Sequence, residues 1–155
     1  MNNITINSNS NDIKEMEKLF PRAPLKIIAM EGCKELGQKV NDYIVNFRQS
    51  SYREELKSPM YATYLQDNYL VDAHCPRFGS GEAKGVLNES VRGKDLFIMT
   101  DVCNYSLTYS VNGYVNHMSP DDHYQDLKRM IAAANGKARR ITVIMPFLYE
   151  SRQHK

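Results

Sequence analysis

The chain has 155 residues, of which 42% are hydrophobic and 25% are charged, with 20 Lys and Arg against 18 Asp and Glu. This length suits one domain with a sizeable core, and the balanced charge argues against a general nucleic-acid or membrane surface. No apolar run approaches the roughly 20 residues of a membrane span, and the start MNNITINSNSND lacks the basic and apolar regions of a signal peptide. The widely spaced Cys33, Cys75 and Cys103 indicate reduced thiols, so we expect a cytoplasmic protein.

The first part of the chain predicts an extension, a strand and a helix. Residues 1–24 form a flexible extension, in which Asp12 can cap a short helix that Pro21 ends. Residues 25–30, LKIIAM, have the length and apolar composition of a strand. The next apolar residues recur at spacings of three and four, which predicts a helix with one apolar face. That face consists of Leu36, Val40, Tyr43, Ile44 and Phe47.

The middle of the chain predicts short elements separated by glycine turns. A further short helix is expected around residues 61–65, inside a polar, Tyr-rich stretch. Residues 69–72 predict a strand, the turn at Gly79 and Gly81 follows, and residues 82–87 predict a short exposed strand. Residues 95–100, DLFIMT, form a second buried-strand run. After it comes a polar stretch rich in Tyr and Asn, residues 104–119, that carries no predicted element.

A helix and a strand complete the pattern. Pro120 followed by Asp121 and Asp122 is a favourable helix start, because acidic side chains complement its positive end. The predicted apolar face comprises Tyr124, Leu127, Ile131 and Ala134. Gly136 can end this helix, and residues 141–145, ITVIM, predict the last strand.

The order of these elements predicts the architecture. The three apolar runs do not alternate in polarity, so we predict strands that are buried on both faces, as in parallel sheets covered by helices. The order strand, helix, strands, helix, strand therefore predicts an α/β fold, a three-layer sandwich with a mostly parallel sheet.

Two glycine-containing turns offer candidate chemistry. In FGSGE, residues 78–82, the glycines let the backbone approach a ligand and Phe78 offers a stacking face, although an ordinary turn that needs positive φ explains the segment better when it is taken alone. The turn NESVRGKD, residues 88–95, carries Ser90 and Arg92, which can gather around a phosphate, although a solvated connection explains this segment better when it is taken alone.

The C-terminal residues offer a third candidate site. Arg152 and Gln153 follow the carboxyl end of the last strand, where open α/β sheets bind ligands, and their side chains suit a phosphate and a purine edge. A basic chain end is the alternative. A metal site is not expected, because the spacing of the histidines and cysteines fits no zinc pattern. No arrangement typical of a catalytic nucleophile is recognisable either.

Taken together and in order, these segments resemble the N-terminal domain of ribose-phosphate pyrophosphokinase. The segments are LKIIAM at 25–30, RFGSGE at 77–82, NESVRGKDLFI at 88–98, RITVIMP at 140–146, and finally Arg152 and Gln153. The resemblance covers roughly residues 25–155, and the VRG block is its most specific part.

The resemblance implies a phosphoribosyltransferase-like fold and transfer of diphosphate from ATP to ribose 5-phosphate, with Mg²⁺ accompanying the nucleotide. It implies that ATP contacts a set of five residues: Phe78, Ser80, Glu82, Arg152 and Gln153. Ser90 and Arg92 match positions that line a regulatory phosphate or ADP site. The adenine site of the family lies between subunits, so a homo-oligomer is expected.

Several departures from the family pattern affect what can be expected. Ser80 replaces an Asp that helps to hold the adenine amino group, His154 follows the Arg-Gln pair in place of Asp, and residues 48–68 and 104–118 look like insertions. The family's metal-binding His, flexible catalytic loop and ribose 5-phosphate loop have no counterpart in these 155 residues, so we expect a partial domain that is inactive alone. A catalytically silent regulatory subunit and an unrelated nucleotide-binding module on a similar fold are the alternatives.

Overall fold

A central sheet of three parallel strands organises the protein. The computed structural model describes residues 23–50 and 63–153. Strands β1 (Leu25–Ala29), β4 (Asp95–Met99) and β7 (Arg140–Ile144) lie in the order β1-β4-β7. Residue 25 pairs with 95 and residue 95 with 140, so all three strands start level and end at the same edge of the sheet.

Two helices cover the two faces of this sheet. Helix α1 (Lys34–Ser50) follows a 3-10 turn, and its Val40 and Ile44 pack with Ile27 of β1. Helix α2 (Pro120–Ala134) packs Leu127 and Met130 against the other face, which carries Ile28, Leu96 and Ile98. The three layers confirm the predicted α/β sandwich with a mostly parallel sheet.

Helix α2 begins at Pro120 and ends just before Gly136, as the sequence predicted. Ser119 caps its N-terminus: the Ser119 hydroxyl accepts from the backbone N–H of Asp122, and the Asp122 carboxylate accepts from the Ser119 N–H. Asn135, at φ 50°, ends the helix in the left-handed region, and Gly136 follows at φ 62°. Its packed face is the predicted one, with Met130 as an additional member.

Several short elements surround the sheet. Strands β2 (Ala73–His74) and β3 (Val86–Leu87) pair antiparallel, so only the end of the predicted strand 82–87 is regular. The strand predicted over residues 69–72 reduces to one parallel bridge between Leu70 and Ile27, flanked by two backbone hydrogen bonds of 2.8 Å. Of the helix predicted around residues 61–65, the part that is described, 63–65, contains a turn and no helix.

The stretch 104–119 contains a hairpin that the prediction missed. Strands β5 (Thr108–Val111) and β6 (Tyr114–His117) pair antiparallel around Asn112 and Gly113, whose φ angles are 52° and 83°. An Asn-Gly pair is the preferred sequence for such a two-residue turn, because both positions need positive φ. The Asn-Gly pair is therefore a hairpin signal that is present in the sequence. The two strands beside it are too polar to be recognised as strands from an apolar pattern.

The predicted apolar face of α1 was wrong by part of a turn. Gly37 and Asn41 are buried, whereas Leu36, Tyr43 and Phe47 are exposed. A Cβ atom at Gly37 would lie 2.4 Å from Cβ of Ala29, so the missing side chain lets the helix approach β1 closely. The Asn41 side chain, 3% exposed, accepts a hydrogen bond from the backbone of Tyr69 at 2.8 Å. A glycine and a buried amide thus set the rotation of the helix.

Strand β7 is also less buried than expected. Val143 and Ile144 point to opposite faces, and both are exposed. Strand β7 lies at one edge of the three-stranded sheet, whereas α1 packs against β1 at the other edge. The prediction that all three strands are buried on both faces therefore holds for β4, and it fails at the end of β7.

Some predictions lie outside the described residues. These are the helix that follows Asp12, which belongs to the expected extension 1–24, and most of the insertion 48–68. Across residues 23–50 and 63–153, no helix combines the length and the apolar character needed to cross a membrane.

Candidate functional site

The carboxyl edge of the sheet gathers most of the candidate residues. Because the three strands are parallel and level, Met30, Thr100 and Met145 follow their strands at this edge. Arg152 and Gln153 lie on the exposed segment that continues from β7. This is the side on which open α/β sheets bind ligands.

The loop of residues 77–82 forms a tight, well-bonded turn. The N–H of Phe78 donates to the carbonyl of Glu82 at 2.8 Å, and Gly81, at φ 87°, donates back to the carbonyl of Phe78 at 2.9 Å. Positive φ at Gly81 is the requirement that the ordinary-turn interpretation predicted. The turn also holds the Phe78 ring 51% exposed and joins Ser80 to Glu82, whose carboxylate accepts from the Ser80 hydroxyl at 3.0 Å.

Arg77 anchors this loop to the rest of the domain. Its guanidinium donates to Asp126 of α2 at 2.9 Å and to the carbonyl of Gly81 at 3.3 Å. It also lies over the ring of Tyr109 in β5, 4.5 Å from the ring centroid. The side chains of Arg77 and Asp126 are only 11% and 7% exposed, so this ion pair is shielded from water. One side chain thus links the loop, the helix and the hairpin.

The segment that carries Arg152 is anchored separately. The Tyr149 hydroxyl donates to Asp121 at 2.5 Å, and the Tyr149 ring stacks on Tyr124 with 4.2 Å between centroids. This hydrogen bond is the main reason that the pKa of Tyr149 rises to about 12, with burial and neighbouring negative charge adding to the shift. Arg152 itself lies 5.7 Å from the ring of Phe147 and is exposed.

Both loops are therefore tied to the first two turns of α2, but on different sides of the helix. Asp121 and Tyr124 hold the Arg152 segment, whereas Asp126 holds Arg77, with Asp122 4.0 Å away. At about 100° per residue, these two pairs of anchors point roughly 150° apart around the helix axis. Within the described residues, no hydrogen bond or ion pair joins the two loops.

Ser90 and Arg92 lie at the opposite edge of the sheet. They precede β4, where Gly93 donates to the carbonyl of Lys137 and Asp95 to that of Pro24, both at 2.9 Å. Both side chains are exposed, and the Ser90 hydroxyl accepts from the backbone N–H of Arg92 at 3.4 Å. Since β4 rises about 3.3 Å per residue, this pair lies more than 10 Å from the carboxyl edge. The structure therefore separates the expected regulatory pair from the expected ATP residues.

A cleft of about 230 Å³ opens between the ends of β1 and β4 and the hairpin. Its lining includes Met30, Thr100, Tyr109, Met118 and His123. Arg77 and Asp126 also line it, so the cleft and the loop of residues 77–82 share one ion pair.

Sequence reasoning missed the residues that hold the loops in place. Arg77 enters the predictions only as part of a motif and Asp121 only as part of a helix start, and no prediction names Asp126 or Tyr149. These contacts join residues 28 to 49 positions apart, so no local spacing in the sequence predicts them. Within residues 23–50 and 63–153, no group of three or more His, Cys, Asp or Glu side chains can hold a metal ion.

Comparisons with known proteins agree with the fold. The family model for the N-terminal domain of ribose phosphate pyrophosphokinase matches residues 25–155. Over 80 residues the chain is 32% identical to ribose-phosphate pyrophosphokinase B of Dictyostelium discoideum. That stretch makes up 51% of this chain and 20% of the Dictyostelium protein. The chain therefore belongs to the family of ribose-phosphate pyrophosphokinase N-terminal domains.

Proposed function

We propose that the chain is the nucleotide-binding N-terminal part of a ribose-phosphate diphosphokinase. A ribose-phosphate diphosphokinase transfers diphosphate from ATP to ribose 5-phosphate. The 1-hydroxyl oxygen of ribose 5-phosphate attacks the β-phosphorus of ATP, the bond between that phosphorus and the oxygen of the α-phosphate breaks, and AMP leaves. The product, phosphoribosyl pyrophosphate, serves nucleotide biosynthesis. The family match over residues 25–155 supports the proposal, and the three free thiols fit the cytoplasm.

In this proposal the chain binds and orients ATP. The half-exposed ring of Phe78 stacks on adenine, and the carboxylate of Glu82 accepts hydrogen bonds from the nucleotide. Arg152 binds phosphate or the purine face, and the Gln153 amide binds the purine edge. Ser80 contributes a hydroxyl where the family has a carboxylate. Ser90 and Arg92, at the other edge of the sheet, form the phosphate or ADP regulatory site.

The single observation that favours a shared ATP site is the placement of the two anchors on α2. Because the anchors of the two loops point roughly 150° apart around the helix axis, we expect the Phe78 loop and the Arg152 segment of one chain to contact different ligands. Two chains related by a twofold axis can do so, with each supplying one loop. A homo-oligomer with ATP between subunits therefore accounts for the exposed Phe78 ring.

Mg²⁺ is expected to arrive with ATP. The described residues offer no cluster that can serve as a metal cage, and Mg²⁺ in such sites is held mainly by the phosphates, water and one or two carboxylates. When bound, it neutralises charge on the phosphates. The roles proposed for this chain concern binding and orientation alone.

Calorimetric titration of the 155-residue protein with ATP tests the proposal. Saturable binding that Phe78→Ala and Arg152→Ala each weaken is expected, whereas Lys39→Ala, on the exposed side of α1, leaves it unchanged. Absence of ATP binding, or binding that neither substitution affects, would overturn the proposal. We also expect no phosphoribosyl pyrophosphate to form from ATP and ribose 5-phosphate with this chain alone. Positioning and charge stabilisation are the whole of such catalysis, and the family's metal-binding His and flexible catalytic loop, which supply them, have no counterpart in these 155 residues.

A catalytically silent regulatory subunit is the second candidate. The observation that favours it is the hydrogen bond between Ser80 and Glu82, which places a hydroxyl in the family's carboxylate position and occupies part of the Glu82 carboxylate. Such a subunit binds ATP and its partner chains but produces no AMP from ATP and ribose 5-phosphate when the whole gene product is assayed. Formation of AMP in that assay eliminates this candidate.

A further inference from the structure

The cleft beside Arg77 is not used by the proposed ATP loops. It lies at the carboxyl ends of β1 and β4, and the hairpin supplies Thr108, Tyr109 and Met118 to its wall. The hairpin falls within residues 104–118, which look like an insertion relative to the family pattern. The hairpin therefore closes one side of the cleft.

Two buried polar side chains line the cleft and retain hydrogen-bonding capacity. Thr100 is 1% exposed, and within residues 23–50 and 63–153 its hydroxyl has no hydrogen-bond partner. A buried hydroxyl without a partner is costly, and native proteins rarely leave one. His123, 4% exposed, directs Nε2 to the carbonyl of Asn104 at 2.8 Å, which leaves Nδ1 for a second partner.

The charges around the cleft are already compensated. Two cations, Arg77 and Arg129, contact the two oxygens of Asp126 at 2.9 and 2.6 Å, and Asp122, 4.0 Å from Arg77, supplies the second negative charge. Glu31 forms an ion pair with Lys34. A charged ligand would have to displace one of these partners, and leaving a buried charge unpaired is expensive. The cleft therefore favours an uncharged ligand.

The walls and the volume of the cleft restrict the class of ligand further. Met30, Pro76, Tyr109 and Met118 make most of the wall apolar, and Met thioethers make favourable contacts with aromatic rings. A sugar would bury many hydroxyls against these walls, whereas an aliphatic ligand would leave the Thr100 hydroxyl unpaired. The volume of about 230 Å³ lies below that of pockets for drug-sized ligands.

We propose that this cleft binds a small, planar, uncharged nitrogen heterocycle of the size of a single nucleobase. The ring lies among the apolar side chains, and one of its polar atoms bonds the Thr100 hydroxyl. The site is separate from the Phe78 and Arg152 surfaces and does not depend on the proposed ATP function.

Methyl NMR of the 155-residue protein labelled on Met tests this assignment with adenine as the probe. Met30 and Met118 line the cleft, and Met130, fully buried against the sheet, is the internal control for folding. Adenine should shift the Met30 and Met118 resonances saturably and leave Met130 unchanged. Ribose and inorganic phosphate, the hydroxylated and the anionic probe, should not shift them.

Two cleft variants and one control make the test specific. Thr100→Val keeps the shape and removes the hydroxyl, so adenine should bind about five-fold more weakly. Ala73→Leu places a larger side chain in the wall and should abolish binding, with the Met130 resonance reporting that the protein stays folded. Arg152→Ala should have no effect. The proposal is overturned if adenine causes no saturable shift up to its solubility limit, if phosphate or ribose binds equally well, or if Ala73→Leu binds normally.

Discussion

The hydroxyl of Tyr149 donates a hydrogen bond of 2.5 Å to the carboxylate of Asp121, across 28 positions of the chain. The same ring stacks on Tyr124, one helical turn further along α2. Two contacts of different kinds therefore fix the segment that carries Arg152 to the beginning of the helix. The segment is short and exposed, and these contacts are what give it a defined position.

The Tyr149 contact should be visible in a pH titration. The pKa of Tyr149 is raised from 10 to about 12, chiefly by its hydrogen bond to Asp121. The stabilisation from this bond is therefore fully present below about pH 10 and is lost as the pH rises through about 12. The phenolate absorbance near 295 nm should lose its last step in Tyr149→Phe, and Asp121→Asn should move that step towards pH 10. An unchanged titration in both variants would show that the hydrogen bond is absent in solution.

The buried ion pair of Arg77 should matter for stability as well as for the loop. Arg77→Met removes the cation and leaves Asp126, 7% exposed, with Arg129 as its remaining partner, so we expect a loss of about 3 kcal/mol. Urea unfolding measures this loss. The matched control is Lys39→Met, which breaks the exposed pair with Glu35 and should change stability little. Equal effects of the two substitutions would contradict the shielding of the Arg77 pair.

The sequence predicted the layers of the fold better than it predicted the details of packing. Apolar runs and periodic faces are local signals, so β1, β4, α2 and β7 were found within one or two residues. The rotation of α1 depends on Gly37 meeting Ala29 and on Asn41 meeting the backbone of Tyr69, and these are tertiary contacts. The hairpin carried a local signal at Asn112 and Gly113, but its exposed strands gave no apolar alternation to support it.

The candidate site shows the same difference between local signals, which the sequence contains, and tertiary contacts, which it does not reveal. The loops could be singled out because their residue types are specific and follow the order of the family pattern. Their anchors were not found, since Arg77 reaches Asp126 over 49 positions and Tyr149 reaches Asp121 over 28. Without those contacts the sequence gives no reason to place the two loops on different sides of α2.

The close approach of α1 to β1 can be tested at Gly37. Gly37→Ala adds a methyl group 2.4 Å from Cβ of Ala29, so α1 must shift and the free energy of unfolding should fall by about 1–3 kcal/mol. This outcome opposes the usual helix preference for Ala over Gly. Gly79→Ala, with no atom within 4 Å of the added group, is the control and should be neutral. A stabilised Gly37→Ala protein would place α1 further from the sheet than described here.

Arg152 should contribute directly to nucleotide affinity. Arg152→Ala removes charge and stacking contacts, which together are worth about 1–3 kcal/mol. The dissociation constant for ATP should therefore increase about five- to 150-fold. Calorimetric titration gives this constant. Lys39→Ala, an exposed cation of α1, controls for the general loss of positive charge. An unchanged constant for Arg152→Ala would return Arg152 to the alternative of a solvated basic chain end.

Self-association is the last prediction. We expect a twofold dimer with contacts near Phe78 and α2, since the Phe78 ring is exposed and the two ATP loops leave α2 on different sides. Light scattering over a wide concentration range detects the dimer.

Mixing two variants then tests whether the ATP site is shared between chains. Phe78→Ala and Arg152→Ala chains each bind ATP weakly alone, but a mixed dimer contains one intact site. Random exchange should restore tight binding at about a quarter of all sites. Chains carrying both substitutions, mixed with either single variant, provide the control and should restore none. A monomer at every concentration, or mixing without recovery, would mean that ATP is not shared between two chains in this way.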